Sequence, residues 1–231
     1  MTFAQRLEAA ALRPDDIARR VARELPDGAV VNLGIGVPTR VANFVAPGRG
    51  VIFMAENGIV GVGPRPPKGQ EDRDLINASR EPITTLPGAA IFGHADSFAM
   101  IRGGHVDIAV LGALQVSGRG DLANWTVPGV GKGGIGGAMD LATGCREVYA
   151  TMTHLTKEGD LKLLEECTYP LTAWRVVTQL FTDIALIEFT PEGPLLREVA
   201  AGLTPEDVQR ASGPRLRVAD PPGLLARQGG P

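Results

Sequence analysis

Hydrophobic residues along this chain follow two patterns, short continuous apolar runs and four-residue spacings. The runs at 29–33 and 51–55 are typical of buried strands, whereas Ile17, Val21 and Leu25 repeat at the spacing of a helix that starts near Pro14. Further strands are expected at 83–86, 89–92, 106–111, 147–152 and 184–189, and further helices at 38–44, from a cap at Asp96 or Ser97, at 174–180 and from Thr204.

The alternation of apolar strands with helical segments predicts the fold class. Strands that are apolar on both faces belong to parallel sheets, because the crossover helices pack against both sides. We therefore expect an α/β fold, an open and mostly parallel sheet with helices on both faces. A single domain is expected over 1–213, followed by a Pro/Gly-rich C-terminal tail over 214–231, and the glycine-rich segment 115–137 is expected to be a long ordered loop or lid.

Composition excludes several classes of function. The 231 residues carry a formal charge of only −3, without the clustered Lys and Arg of a nucleic-acid-binding surface. No apolar run approaches the ~18 residues of a membrane span, and charges interrupt the N-terminus too early for a signal peptide. We expect a cytoplasmic protein with no nucleic-acid or membrane partner. The two cysteines, Cys145 and Cys167, are too few for a disulfide framework and are expected to be reduced.

One carboxylate, Glu56, stands where an apolar strand should end, directly before Asn57 and Gly58. Glu is rarely buried unless it is paired, and open α/β sheets place their chemistry at the carboxyl ends of parallel strands. One interpretation is a plain turn in which Glu56 faces water, since Asn-Gly favours positive φ. The other is a nucleophile or base displayed on a tight turn, because an ionised carboxylate needs no separate base to attack a thioester.

Two glycine-containing loops are candidates for binding an anion or a polarised carbonyl. Gly34 and Gly36 lie between a strand and a helix start, where free backbone N–H groups could face an anion, and the alternative is a well-packed turn. Thr39 replaces the third glycine of a dinucleotide fingerprint, so NAD binding is not supported. The second loop, 131–136, matches that fingerprint literally but follows no strand, and either an oxyanion-stabilising loop or a structural turn fits it.

Other catalytic patterns are missing from the sequence. His94, His105 and His154 lack the spacing of metal ligands, so no metal is expected. Ser117 lacks the flanking pattern of a nucleophile elbow, which argues against a serine hydrolase.

Several motifs, in order along nearly the whole chain, are shared with one known family. They are Asn32-Leu-Gly-Ile-Gly-Val-Pro-Thr39, Glu56-Asn-Gly58 with Gly61 and Gly63-Pro64, Asn77-Ala78, Arg102-Gly-Gly-His-Val-Asp107, Gly112-Ala-Leu-Gln-Val116, Gly120-Asp-Leu-Ala-Asn-Trp125 and Gly136-Gly-Ala-Met-Asp-Leu141. Together they resemble the B subunit of family I CoA-transferases, the 3-oxoacid and 3-oxoadipate CoA-transferases. The segment 166–172 looks more like the 3-oxoadipate branch than the acetoacetate branch.

The resemblance implies a ping-pong mechanism with no bound cofactor, in which a CoA thioester is the substrate. The Glu at position 56 would attack the acyl-CoA thioester and give a mixed anhydride, then a glutamyl-CoA thioester that passes CoA to a second carboxylic acid. It also implies a partner A subunit, an oxyanion site drawn partly from that partner and partly from the backbone at Gly136 and Gly137, and an Asn at position 32 close to the nucleophile.

The cation at position 80 differs from the family pattern. The family often has Lys near this position, where this chain has Arg80. Arg is a fixed fork and Lys a point charge, so Arg80 is a candidate contact for a substrate carboxylate with different geometry. Two other functions remain open from the sequence: a non-catalytic ligand-sensing module, and a phosphosugar isomerase that would use Glu56 as a base and the loop at Gly34 and Gly36 for phosphate.

Overall fold

The computed structural model describes residues 1–130 and 133–226. The second helix shows how the sequence forms its elements: Pro14 occupies the first turn, Asp15 and Asp16 lie at the positive end of the helix, and Ile17 and Val21 are buried. The described helices are α1 (Phe3–Ala10), α2 (Pro14–Glu24), α3 (Val37–Arg40), a 3-10 helix (Val41–Phe44), α4 (His94–Arg102), α5 (Ala138–Gly144) and α6 (Pro205–Arg210).

Thirteen strands form two sheets within the described residues. The large sheet has ten strands in the order β13-β12-β11-β10-β8-β5-β1-β2-β3-β4, and the small one has three in the order β7-β6-β9. The strands are β1 (Val30–Leu33), β2 (Ile52–Ala55), β3 (Ile59–Val62), β4 (Thr85–Ile91), β5 (Ile108–Gly112), β6 (Gln115–Ser117), β7 (Leu122–Ala123), β8 (Glu147–Met152), β9 (Leu163–Leu164), β10 (Val177–Thr182), β11 (Ala185–Thr190), β12 (Gly193–Ala200) and β13 (Arg217–Leu225).

The centre of the large sheet is parallel, and helices cover both of its faces. Strands β10, β8, β5, β1 and β2 pair in parallel, while β3, β4 and β11 pair antiparallel with their neighbours. The chain moves in one direction from β1 to β2 and in the other from β5 to β8, and right-handed crossovers then place the connecting helices on opposite faces. Accordingly, α2 packs with α3 and α4 with α5. The predicted fold class is confirmed.

The structure corrects some predicted elements. The helix expected at 174–180 is wrong: the apolar residues there form β10, which pairs with β8 and β11 and is buried between them. Helix α4 begins at His94 after Gly93, so neither Asp96 nor Ser97 is its cap, and Asp96 lies in its first turn. The expected loop 115–137 contains β6 and β7, because these short strands pair with each other and with the distant β9.

The expected C-terminal tail is partly structured. Residues 217–225 form β13, which pairs in parallel with β12, and Gln209 bonds the backbone at Pro214 and Leu216. These contacts order a Pro-rich segment that composition alone would leave loose. Residues 227–231 of that segment, like residues 131–132 of the second glycine loop, lie outside the described residues. Over the part of the chain that is described, no helix has both the length and the apolar character required to cross a bilayer.

Candidate active site

Glu56 lies at the point where the sheet changes from parallel to antiparallel pairing. Strand β2 pairs in parallel with β1 and ends at Ala55, and the chain then reverses through 56–58 into the antiparallel β3. The Gly58 N–H donates to the Ala55 carbonyl at 3.0 Å and closes this turn. The half-buried Glu56 is therefore presented by a hydrogen-bonded turn at the carboxyl edge of the central strands, where open α/β sheets bind ligands.

The Asn32 side chain holds the Glu56 carboxylate from the neighbouring strand. Asn32 is 0% exposed, and its amide donates to Glu56 Oε2 at 3.0 Å and to the Met54 carbonyl at 3.1 Å. With both N–H groups used, the amide orientation is fixed. Its Oδ1 is buried and has no hydrogen-bond partner among the described residues. Unsatisfied buried acceptors are rare in native proteins, and this one adjoins the suspected nucleophile.

Gly58 allows the turn to approach the N-terminal end of α4. Its φ is +117°, and a Cβ placed there would lie 2.3 Å from the Phe92 carbonyl oxygen. The Phe92 N–H in turn donates to the Gly58 carbonyl at 3.0 Å. Only glycine fits both the positive φ and the close contact with Phe92. Both the plain-turn and the functional interpretation of 56–58 require glycine here, so this residue does not distinguish them.

Gly137 brings the second glycine loop to the carboxylate. A Cβ at Gly137 would lie 2.8 Å from Phe98 Cζ and 3.8 Å from Glu56 Cγ, so the glycine backbone, the Phe98 ring and the glutamate stem are neighbours. Gly136 has φ +50°, which turns the chain into α5. Gly137, one of the two glycines carried over from the family resemblance, therefore lies beside Glu56, and Gly136 directly precedes it in the chain.

The first glycine loop has fewer free amides than its sequence suggests. The Gly34 N–H donates to the Val110 carbonyl at 2.8 Å, so this amide is not available to an anion. The Gly34 carbonyl also accepts from Thr39 Oγ1 at 3.1 Å. At Gly36 the backbone has φ +94° and ψ −125°, a conformation that glycine adopts freely just before α3. Gly34 is thus a packing position between β1 and β5.

Arg80 sits on a strained turn that Asn57 ties to the site. It has φ +62°, which is unusual for a residue with a side chain, and its N–H donates to the Asn77 carbonyl at 2.9 Å. The guanidinium has no hydrogen bond or ion pair within the described residues. Asn57 Nδ2 donates to the Ile76 carbonyl at 2.8 Å, one residue before this turn, so the loop bearing Arg80 is anchored to the residue that follows Glu56.

A cavity of about 1260 Å³ lies against the other face of the sheet. Leu33 and Phe53 line it together with residues of α3, whereas Asn32 and Glu56 face the side of α4 and α5. Side chains alternate between faces along a strand, which explains the separation. Glu56 is not among the residues that line this cavity.

Other titratable groups are buried away from Glu56. Burial raises the pKa of Cys145 and of Cys167 to about 12, so these free thiols are poor nucleophiles. His154 is buried between Thr182 and Ser212, and burial lowers its pKa to about 4. Across residues 1–130 and 133–226, no cluster of three or more His, Cys, Asp or Glu side chains is arranged to hold a metal.

Two aromatic residues near Glu56 are not identified as site residues by the sequence patterns. Phe98 and His94 stack with ring centroids 4.7 Å apart on α4, next to Gly137. Their four-residue spacing places both rings on one face of a helix, and this is the one sequence signal for them. The spacing points to the site only once α4 is known to begin beside Gly58.

Comparison with known proteins then decides the family. The coenzyme A transferase family model matches residues 15–211. The chain belongs to the coenzyme A transferase family. It is 53% identical over 199 residues to the B subunit of the 3-oxoadipate CoA-transferase of Pseudomonas putida, covering 86% of this chain and 93% of that protein. It is 50% identical over 193 residues to the B subunit of the succinyl-CoA:3-ketoacid coenzyme A transferase of Helicobacter pylori, covering 84% and 93%.

The fold of this coenzyme A transferase is also found among solved structures. The acyl-CoA transferase YdiF of Escherichia coli O157:H7 superimposes with a TM-score of 0.74 at 19% identity, covering 92% of this chain and 43% of YdiF. At this identity the likeness concerns the fold alone. The chain is an enzyme of the CoA-transferase class and corresponds to the B subunits of that class, so the sensing-module and isomerase alternatives are set aside.

Proposed function

We propose that this chain is the catalytic B subunit of a CoA-transferase that moves CoA from succinyl-CoA, or another acyl-CoA, to a 3-oxoacid such as 3-oxoadipate or acetoacetate. The observation that carries the proposal is the Glu56 carboxylate at a strand end, bonded at 3.0 Å by a buried Asn32 and flanked by the Gly137 backbone. The substrate classes come from relatives of about 50% identity named for 3-oxoadipate and for succinyl-CoA and 3-ketoacids.

The reaction proceeds through Glu56 as covalent nucleophile. A carboxylate oxygen attacks the thioester carbonyl and the CoA thiolate leaves, which gives a mixed anhydride. The thiolate then attacks the Glu56 carbonyl carbon, releasing the donor's carboxylate and leaving a glutamyl-CoA thioester. The acceptor carboxylate repeats these steps in reverse order, so the glutamate is regenerated. Each attack creates an oxyanion that backbone N–H groups stabilise, and Gly136 and Gly137 are the candidates on this chain.

The remaining site residues position the substrates. Arg80, unpaired within the described residues and held on a turn with φ +62°, is a candidate cation for a substrate carboxylate. Asn57 and Gly58 hold the turn, and Gly36, just before α3, is a candidate backbone position for substrate binding. An A subunit completes the oxyanion site, since the similar proteins are named as B subunits. No resident cofactor takes part, CoA thioester being a substrate, and we place the protein in the cytoplasm.

The test uses the complex of this chain with its A subunit. Incubation with succinyl-CoA should give a borohydride-sensitive CoA adduct on Glu56, detected by intact-mass spectrometry. Glu56→Ala should abolish the adduct, and Glu56→Asp should lower turnover on the order of a hundredfold, because the shorter arm withdraws the attacking oxygen by about 1 Å. Glu192→Ala is the control, since Glu192 pairs with Arg217 at the other end of the sheet. An adduct that persists in Glu56→Ala would refute the proposal.

A further inference from the structure

The His94 side chain packs on a ring next to Glu56 and has no role in the reaction proposed above. It is exposed, and its ring stacks on Phe98 with centroids 4.7 Å apart and an interplanar angle of 53°. Phe98 touches the position that a Cβ of Gly137 would occupy, and Glu56 Cγ lies 3.8 Å from the same point. The three side chains therefore form a row that runs outward from the nucleophile: glutamate, phenylalanine, histidine.

The backbone places His94 there independently of the ring contact. A Cβ at Gly58 would meet Phe92 O at 2.3 Å and the Gly93 carbonyl carbon at 3.8 Å, so the start of α4 packs on the turn that carries Glu56. His94 is the first residue of that helix. Its position relative to the nucleophile is thus fixed by two separate contacts.

The polar groups around His94 leave it as the free donor of this row. Asp96 Oδ2 lies 3.1 Å from the position of a Gly93 Cβ, so a carboxylate already occupies the amide end of α4 and an added anion is not expected to bind there. Arg102, at the C-terminal end of α4, has its guanidinium 5.7 Å from the Phe98 ring centroid and pairs with Asp140 at 2.7 Å. The His94 ring nitrogens have no hydrogen-bond partner among the described residues, and imidazole carries at least one N–H in either protonation state.

We propose that His94 is a specificity-determining residue that donates to the distal carboxylate of a dicarboxylate acceptor while the other carboxylate attacks the glutamyl-CoA thioester. The inference rests on the proposed function. A six-carbon dicarboxylate has the length of two extended residues, roughly 7 Å, so its two carboxylates can contact different side chains of this row. Phe98 would lie along the aliphatic middle of the acceptor.

The test compares two acceptors on one enzyme. In a ping-pong reaction, kcat/KM for the acceptor depends only on the reaction of the acceptor with the CoA-loaded enzyme. A change in the step that loads CoA onto Glu56 therefore does not alter this value. With succinyl-CoA as donor, His94→Phe, which keeps an aromatic ring and removes the N–H donor, should lower kcat/KM for 3-oxoadipate by roughly 10- to 100-fold, the effect of one hydrogen bond to a charged group, and leave that for acetoacetate unchanged. His94→Lys, which restores a donor, should recover the 3-oxoadipate value.

His105→Phe is the matched control, because His105 follows the C-terminal end of α4 and its substitution should leave both acceptors unchanged. An equal loss for both acceptors in His94→Phe would make the residue merely structural, and no loss would remove it from the site. Either result overturns the inference while leaving the glutamyl-CoA adduct in place. A wild-type complex that forms no adduct would refute the proposed function, and the inference with it.

Discussion

Asn32 donates a 3.0 Å hydrogen bond to Glu56 from inside the sheet, and the same amide is tied to the Met54 carbonyl. Asn32→Ala should lower kcat of the assembled enzyme by roughly 10- to 100-fold, because a hydrogen bond to a charged acceptor contributes about 1.5–3 kcal/mol. Asn32→Asp should be worse, since two carboxylates at this distance cannot both stay ionised. Steady-state rates and adduct formation by mass spectrometry check both variants; an Asn32→Ala enzyme with wild-type turnover would contradict the role.

Gly58→Ala should damage both stability and activity. The substitution combines φ +117° with a 2.3 Å approach to a carbonyl oxygen, so the turn must move and carry Glu56 with it. The matched control is Gly193→Ala, where φ is +109° but nothing lies within 4 Å of the added Cβ. Gly193→Ala should cost about 1 kcal/mol from backbone strain alone, with normal turnover. Thermal unfolding and turnover rates of the two variants separate the effect of backbone strain from that of the contact with the Phe92 carbonyl oxygen. Equal losses of stability and turnover in both variants would contradict a role for this contact.

His154 should make the protein less stable in mild acid. It contacts Thr182 and Ser212, and burial together with the nearby Lys162 lowers its pKa from 6.5 to about 4, while its backbone N–H donates to Asp183. Between pH 6.5 and about 4 the unfolded chain binds a proton that the folded chain does not, so the free energy of unfolding falls as pH falls through this window. The loss is on the order of 3 kcal/mol.

Urea unfolding of the wild-type protein and of His154→Gln across roughly pH 4–7 checks this. The variant should lose the His154 part of the pH dependence, because glutamine has no proton to gain. Parallel curves for the two proteins would show that the acid sensitivity arises elsewhere.

The central strands and the position of Glu56 at a strand end can be predicted from the sequence because their signals are local. The short apolar runs indicate β1, β2, β5 and β8, the Thr204 cap indicates α6, and Glu56 stands out as a carboxylate at the end of an apolar run. In each case the residues that decide the structure are neighbours along the chain.

The errors arise where distant pairing decides the structure. The segment 174–180 has apolar residues compatible with a helix, yet its partners β8 and β11 make it a strand. Gly34 has the sequence context of an anion-binding amide, but the Val110 carbonyl, on another strand, accepts its N–H. The row of Phe98 and His94 beside Glu56 likewise depends on the packing of α4 against a hairpin that lies well before it in the chain.

Both outer strands of the ten-stranded sheet contain proline. Strand β4 carries Pro87, and β13 carries Pro221 and Pro222. Proline has no backbone N–H to donate to a further strand. At these residues each edge strand therefore lacks a hydrogen-bond donor that a strand of a second chain would need for pairing. A sheet this wide, with an apolar interior, is thereby protected from growing edge to edge into fibres at high protein concentration.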